Sequence, residues 1–151
     1  MKKKEVITLI LCFVAVFLVA FLGSRITITD SWYDSVKPSI TPPSFVFPIV
    51  WTILFILLAL SMFLSLTNAN KKEKRMLYVF FGANLILNFL WSFFYFGLHN
   101  VLFAFVDLIL LWITILILVI LTWKINRIAS WMIVPYLVWV SFAGVLNWLS
   151  I

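Results

Sequence analysis

LFAFVDLILLWITILILVILTW, residues Leu102–Trp123, holds one charged side chain, Asp107, and no glycine or proline in 22 positions. A helix crossing a ~30 Å hydrocarbon core needs about 20 predominantly apolar residues. Membrane barrel strands are about 10 residues long and alternate in character. This run is too long and too uniform for a strand, so it reads as a membrane-spanning helix.

The same criterion, carried outward, finds four more spans, at about Val6–Gly23, Phe47–Leu66, Met76–Phe96 and Ala129–Leu149. The fold class that follows is all-α, a polytopic bundle of five transmembrane helices forming one domain over residues 1–151. Composition agrees. The chain is 66% hydrophobic and 11% charged, against about 45–50% apolar and about a quarter charged for a soluble domain. Its net charge of +6 does not make it a nucleic-acid binder, because the 11 Lys and Arg fall in short clusters and not along a face. A single Cys, Cys12, excludes an intrachain disulfide, and a single His, His99, excludes a multi-histidine metal site. Cys12 reads as a small apolar filler and His99 as a solvated turn residue. The first span follows Lys2, Lys3 and Lys4 as a signal peptide would. Its apolar run is too long, however, and Phe21 and Leu22 stand where a cleavage site needs small residues.

Five spans put the Lys2–Lys4 cluster, the Lys71–Arg75 cluster and the Lys124/Arg127 pair on one side of the membrane, and only Arg25 and Lys37 on the other. Positive charge favours the cytoplasmic side. The expectation is a cytoplasmic N-terminus and a C-terminus outside. Three connections are short. The outer connection, 24–46, is long and carries Trp32, Tyr33, Pro38, Pro42 and Pro43. Disordered segments are poor in aromatics, so it reads as an ordered lid, the alternative being a linker merely tolerated between two helices.

Polar residues inside a membrane are costly, and their positions are informative. At 1.5 Å per residue, Asn88, Trp91, Ser92 and Tyr95 lie in the outer half of the third span, and Asp107 lies about five residues below the outer surface. Trp51 and Phe55 begin the second span; Trp139, Phe142 and Ala143 stand in the outer half of the fifth. All occupy one slab beneath the lid. The functional reading is an aromatic-walled pocket for a flat, largely apolar ligand bearing a few polar groups. Each residue also has a plainer role open to it. Asn84 and Asn88 serve equally as interhelical hydrogen-bond glue, and Asp107 as a structural acid. Trp32, Trp112, Trp123, Trp131 and Trp148 read as interfacial anchors, and Pro135 as a kink. No span holds a Lys, and no Ser/His/Asp, metal or phosphate-loop constellation is present.

WYDSVKPSITPPSFVFPIVW (Trp32–Trp51), NLILNFLWSFFYFG (Asn84–Gly97), the Asp107 position and ASWMIVPYLVWVSFAGVLN (Ala129–Asn147) resemble the tryptophan-rich sensory protein / translocator protein family. That family is also called TspO/MBR or the peripheral-type benzodiazepine receptor. The resemblance implies a five-helix protein, commonly a homodimer, of a bacterial inner membrane. The implied ligands are protoporphyrin IX or haem and benzodiazepine-type synthetic compounds. Porphyrin would be ligand or substrate, and no cofactor would be required. Trp51 and Trp139 match the two tryptophans implicated in light-dependent porphyrin degradation, the catalytic expectation. Tyr33, Trp51, Phe55, Asn88, Trp91, Ser92, Tyr95, Asp107, Trp139 and Ala143 fall at positions similar to pocket-lining ones. Transport of porphyrins or other amphiphiles is the alternative role. The cholesterol motif needs a Lys or Arg shortly after a Tyr; none follows Tyr136, so cholesterol is not an expected ligand.

Overall fold

The computed structural model describes residues 2–151. Its elements are α1 (Lys3–Ile26), α2 (Ser31–Val36), α3 (Val46–Asn68), α4 (Lys71–Ser92), a π-helical turn continuing α4 (Phe93–Gly97), α5 (Val101–Ile125) and α6 (Arg127–Leu149). Among the described residues there is no strand. Five helices are long and apolar enough to cross a membrane: α1, α3, α4 with its π turn, α5 and α6.

Most of these helices overrun the apolar stretches that announce them, and asparagines set several of the starts. Asn70 accepts from the backbone amides of Lys72 and Glu73, both at 3.0 Å, while the Glu73 carboxylate accepts from the Asn70 amide at 2.8 Å. This reciprocal cap lets α4 begin at Lys71, inside the cationic cluster. Asn100 caps α5 by accepting from Phe103 N at 3.0 Å. Asn126 caps α6 by accepting from Ile128 N and Ala129 N. Asn126 is also the only residue between α5 and α6. The connections are therefore shorter than the apolar runs suggest.

The five long helices close into a ring. α1 packs on α3 and α4, α3 on α6, α6 on α5, and α5 on α4. At the end away from the 24–46 connection the ring is filled. Leu58, Leu77, Phe81, Ile115, Leu118 and Ile133 are almost completely buried there. Small residues let the backbones approach, as membrane helix contacts require. Ser61 of α3 donates to the Ala129 carbonyl of α6 at 2.7 Å, and Ser130 of α6 donates to the Val119 carbonyl of α5 at 2.8 Å. Further along, a Cβ on Gly144 would come 3.2 Å from Leu108 Cδ2, so α5 and α6 stay close there too. The outer surface carries exposed Ile, Leu, Val and Phe on every long helix, the arrangement expected where lipid replaces water. Of α1, only Cys12 and Val16 are buried.

The 24–46 segment is only partly loop. α1 runs on to Ile26, and α2 forms behind Asp30, whose carboxylate accepts from Tyr33 N at 3.1 Å. A turn follows in which Thr41 N donates to the Pro38 carbonyl at 3.0 Å, and Val46 N donates to the Pro43 carbonyl at 3.0 Å.

Candidate functional site

Opposite its filled end the ring encloses a cavity of about 370 Å³, within the range of small-molecule sites. Four helix ends and part of α5 build its wall. Trp51 and Phe55 come from the first turns of α3 and Asn88, Trp91 and Ser92 from the end of α4. Tyr95 and Phe96 come from the π turn, Leu108 and Leu111 from α5, and Trp139, Ala143 and Asn147 from α6. The 24–46 connection closes the mouth, contributing Thr29, Tyr33, Lys37, Pro38 and Thr41.

The π turn shapes one side. Leu98 N donates to the Phe93 carbonyl at 2.9 Å, a five-residue span that widens the helix. Tyr95 and Phe96 then both reach the cavity, with Tyr95 stacked on Trp91 at 5.3 Å and Phe96 edge-on to Trp91 at 5.9 Å. Opposite, Trp51 leans on Phe55 at 5.2 Å and meets the Tyr136 ring edge-on at 6.0 Å. Trp139 packs against Phe47 at 5.9 Å and Phe142 at 5.7 Å. Trp51 and Trp139 thus face one cavity from neighbouring helices, each fixed by different aromatics.

Hydrogen bonds hold these rings. Trp91 Nε1 donates to Asn147 Oδ1 at 2.9 Å, and Asn147 Nδ2 donates to the Val101 carbonyl at 3.0 Å. One asparagine therefore ties α4 to the start of α5. Tyr95 OH donates to Ser150 Oγ at 3.1 Å. Behind the wall runs a polar chain. Asn88 Nδ2 donates to Tyr136 OH at 3.0 Å, Tyr136 OH to Asn84 Oδ1 at 3.4 Å, and Asn84 Nδ2 to Thr114 Oγ1 at 3.0 Å. Asn84 is glue, as one of the two sequence readings has it. Asn88 is glue through its amide nitrogen and lines the cavity as well.

At the mouth, Lys37 donates to Asp34 at 2.6 Å and its ammonium lies 5.7 Å from the Tyr33 ring centre. The hydrogen bond to Asp34 raises the Lys37 pKa. Burial, more than the neighbouring Tyr95, pushes the Tyr33 hydroxyl up, so it stays a protonated donor. Trp32 is not a free interfacial anchor. It stacks on His99 at 4.2 Å and meets Tyr95 edge-on at 5.6 Å. His99 is exposed, as a solvated turn residue should be, and also holds this contact, from a left-handed backbone conformation, φ 51°.

Nine of the ten residues expected to line a pocket do so: Tyr33, Trp51, Phe55, Asn88, Trp91, Ser92, Tyr95, Trp139 and Ala143. Asp107 does not. It is buried, 4% exposed, and Oδ2 has no hydrogen-bond partner among the described residues. Its depth is right, but Leu108 and Leu111 occupy the α5 face that turns inward. Depth in a membrane is set by distance along the helix, whereas facing is set by 100° steps around it. Asn147, Lys37 and Thr41 were not anticipated. The first was legible as a polar residue at the outer end of the last span. The other two lie in a segment without periodicity. Among the described residues, no cluster of three or more His, Cys, Asp or Glu side chains gathers to hold a metal.

Comparison with known proteins matches residues 9–150 to the model of the TspO/MBR family. The chain is 42% identical to the tryptophan-rich protein TspO of Chlorobaculum tepidum, covering 96% of this chain and 94% of that one. It is 36% identical to protein CrtK of Rhodobacter capsulatus, over 78% and 74% of the two chains. The tryptophan-rich protein TspO of Bacillus cereus is 34% identical, over 98% and 95%.

Proposed function

Because this chain belongs to the TspO/MBR family, we propose that it is a membrane tetrapyrrole-binding protein. It senses or sequesters protoporphyrin IX or haem in the cavity beneath the 24–46 connection. The observation that carries this reading is the cavity itself, about 370 Å³ with tryptophan, tyrosine and phenylalanine walls. Aromatic walls suit a flat macrocycle by stacking. The hydrogen bonds that hold Trp91 and Tyr95 in place keep the walls preformed, which lowers the ordering cost of binding.

Within the same proposal, illumination of bound porphyrin leads to its oxidative degradation by dioxygen, with Trp51 and Trp139 relaying electrons from the photoexcited ring. Support comes from two indoles on adjacent helices lining one cavity. The protein sits in a bacterial inner membrane with its N-terminus in the cytoplasm, supported by the positive charges clustered on one side.

Titration of the detergent-solubilised protein with protoporphyrin IX should quench tryptophan fluorescence to saturation; absence of saturation overturns the binding reading. Under illumination the porphyrin's main absorption band should bleach. The double variant Trp51→Phe, Trp139→Phe should bind without bleaching, and bleaching at the normal rate overturns the relay.

A further inference from the structure

Several polar groups on the helix walls of the cavity are already engaged: Trp91 Nε1 by Asn147, Tyr95 OH by Ser150, and Asn88 Nδ2 by Tyr136. At the mouth, two groups of the 24–46 connection keep hydrogen-bonding capacity in reserve. Lys37 is the one charged side chain in the lining among the described residues. Its ammonium has three donors and gives one to Asp34 at 2.6 Å. Thr41, four residues further on, also lines the cavity, and its hydroxyl is buried without a partner among the described residues. Buried polar atoms are nearly always satisfied, so an orphaned hydroxyl at a cavity mouth is a group awaiting a ligand atom. The Pro38–Thr41 turn, closed by Thr41 N donating to the Pro38 carbonyl at 3.0 Å, holds the two groups in one short, proline-stiffened segment.

We propose that Lys37 and Thr41 recognise a carboxylate carried by the ligand, so that the pocket selects acidic flat aromatics over their neutral esters. The inference rests on the binding reading above and adds a chemical class to it. One carboxylate oxygen accepts from the Lys37 ammonium and the other from the Thr41 hydroxyl, while the ring system enters between the aromatic walls. Asp34 is a positioning residue. It holds Lys37 over the mouth and competes with the ligand for it.

The test compares protoporphyrin IX, which carries two carboxylates, with its dimethyl ester, by tryptophan quenching on the full-length protein in detergent. The wild type should bind the diacid about fivefold more tightly, the upper range for an ion pair open to solvent. Lys37→Gln should lose most of that preference by weakening the diacid alone, and Lys37→Arg should retain it. Thr41→Val should lose part of it. Asp34→Asn, which frees the ammonium, should widen it. Equal affinities in the wild type overturn the proposal and leave tetrapyrrole binding standing. A preference that persists unchanged in Lys37→Gln also overturns it, by assigning discrimination to the ester's bulk. Saturable quenching by neither compound overturns both readings.

Discussion

At the scale of single residues, Asn147 and Asp107 are instructive opposites. Asn147 is 2% exposed, accepting from Trp91 and donating to the Val101 carbonyl. Truncating it leaves the Trp91 indole N–H unpaired and removes a second donor from the Val101 carbonyl. Asn147→Ala should therefore cost about 1–3 kcal/mol of stability, read as a lowered melting temperature in detergent. Protoporphyrin affinity should fall as Trp91 loosens. Asp107 has no such commitments, since Oδ2 is unpartnered and the side chain lies outside the cavity. Asp107→Asn should leave porphyrin affinity within about twofold of wild type, with fluorescence titration as the check; a larger loss would bring the residue into the site. The contrast explains what sequence reading reaches. Two asparagines, a tryptophan, a serine and a tyrosine spaced three and four apart on one span reveal a face. A lone acid on an otherwise apolar span has no companions to reveal which way it points.

Helices that cross a membrane are legible because lipid allows little else: about 20 apolar residues with every backbone group satisfied internally. Their ends are less so, because caps such as Asn70 extend helix into polar sequence. The π turn at Phe93–Gly97 was not legible at all. FFYFG reads as unbroken helix, and only the tertiary fit makes the wider turn worthwhile. At Gly97 a Cβ would already stand 3.3 Å from both Ile26 Cγ2 and Phe93 Cδ2, so the turn closes against the end of α1 with no space to spare. The short helix α2 is held differently. It has no buried residue of its own and is anchored through Trp32 on His99 and Tyr95. Trp32→Ala should release it. Bundle melting should hardly change, while porphyrin dissociation, followed by stopped-flow fluorescence, should accelerate by about tenfold.

The whole molecule is a ring filled at one end and hollow at the other. Stability resides in the filled half, where Ala59, Ser61, Ala129 and Ile133 leave no exposed surface. Ala129→Leu would force α6 away from its neighbours, and overpacking of this kind costs about 1–3 kcal/mol. Melting should drop while porphyrin affinity, set at the opposite end, changes little. A ligand in the hollow half should act the other way. At a concentration about 100-fold above Kd it should add about 2.7 kcal/mol, visible as a rise in melting temperature that grows with ligand concentration and disappears in variants that cannot bind.

The single residue between α5 and α6 makes the chain itself a brace. Asn126 both ends one helix and caps the next, so these two helices are tied together at one membrane face. A link of one residue leaves no slack for α6 to slide along α5, and connectivity reinforces the register that the Ser130–Val119 hydrogen bond records. Lengthening the link at Asn126 should loosen that register first at the filled end, far from the cavity.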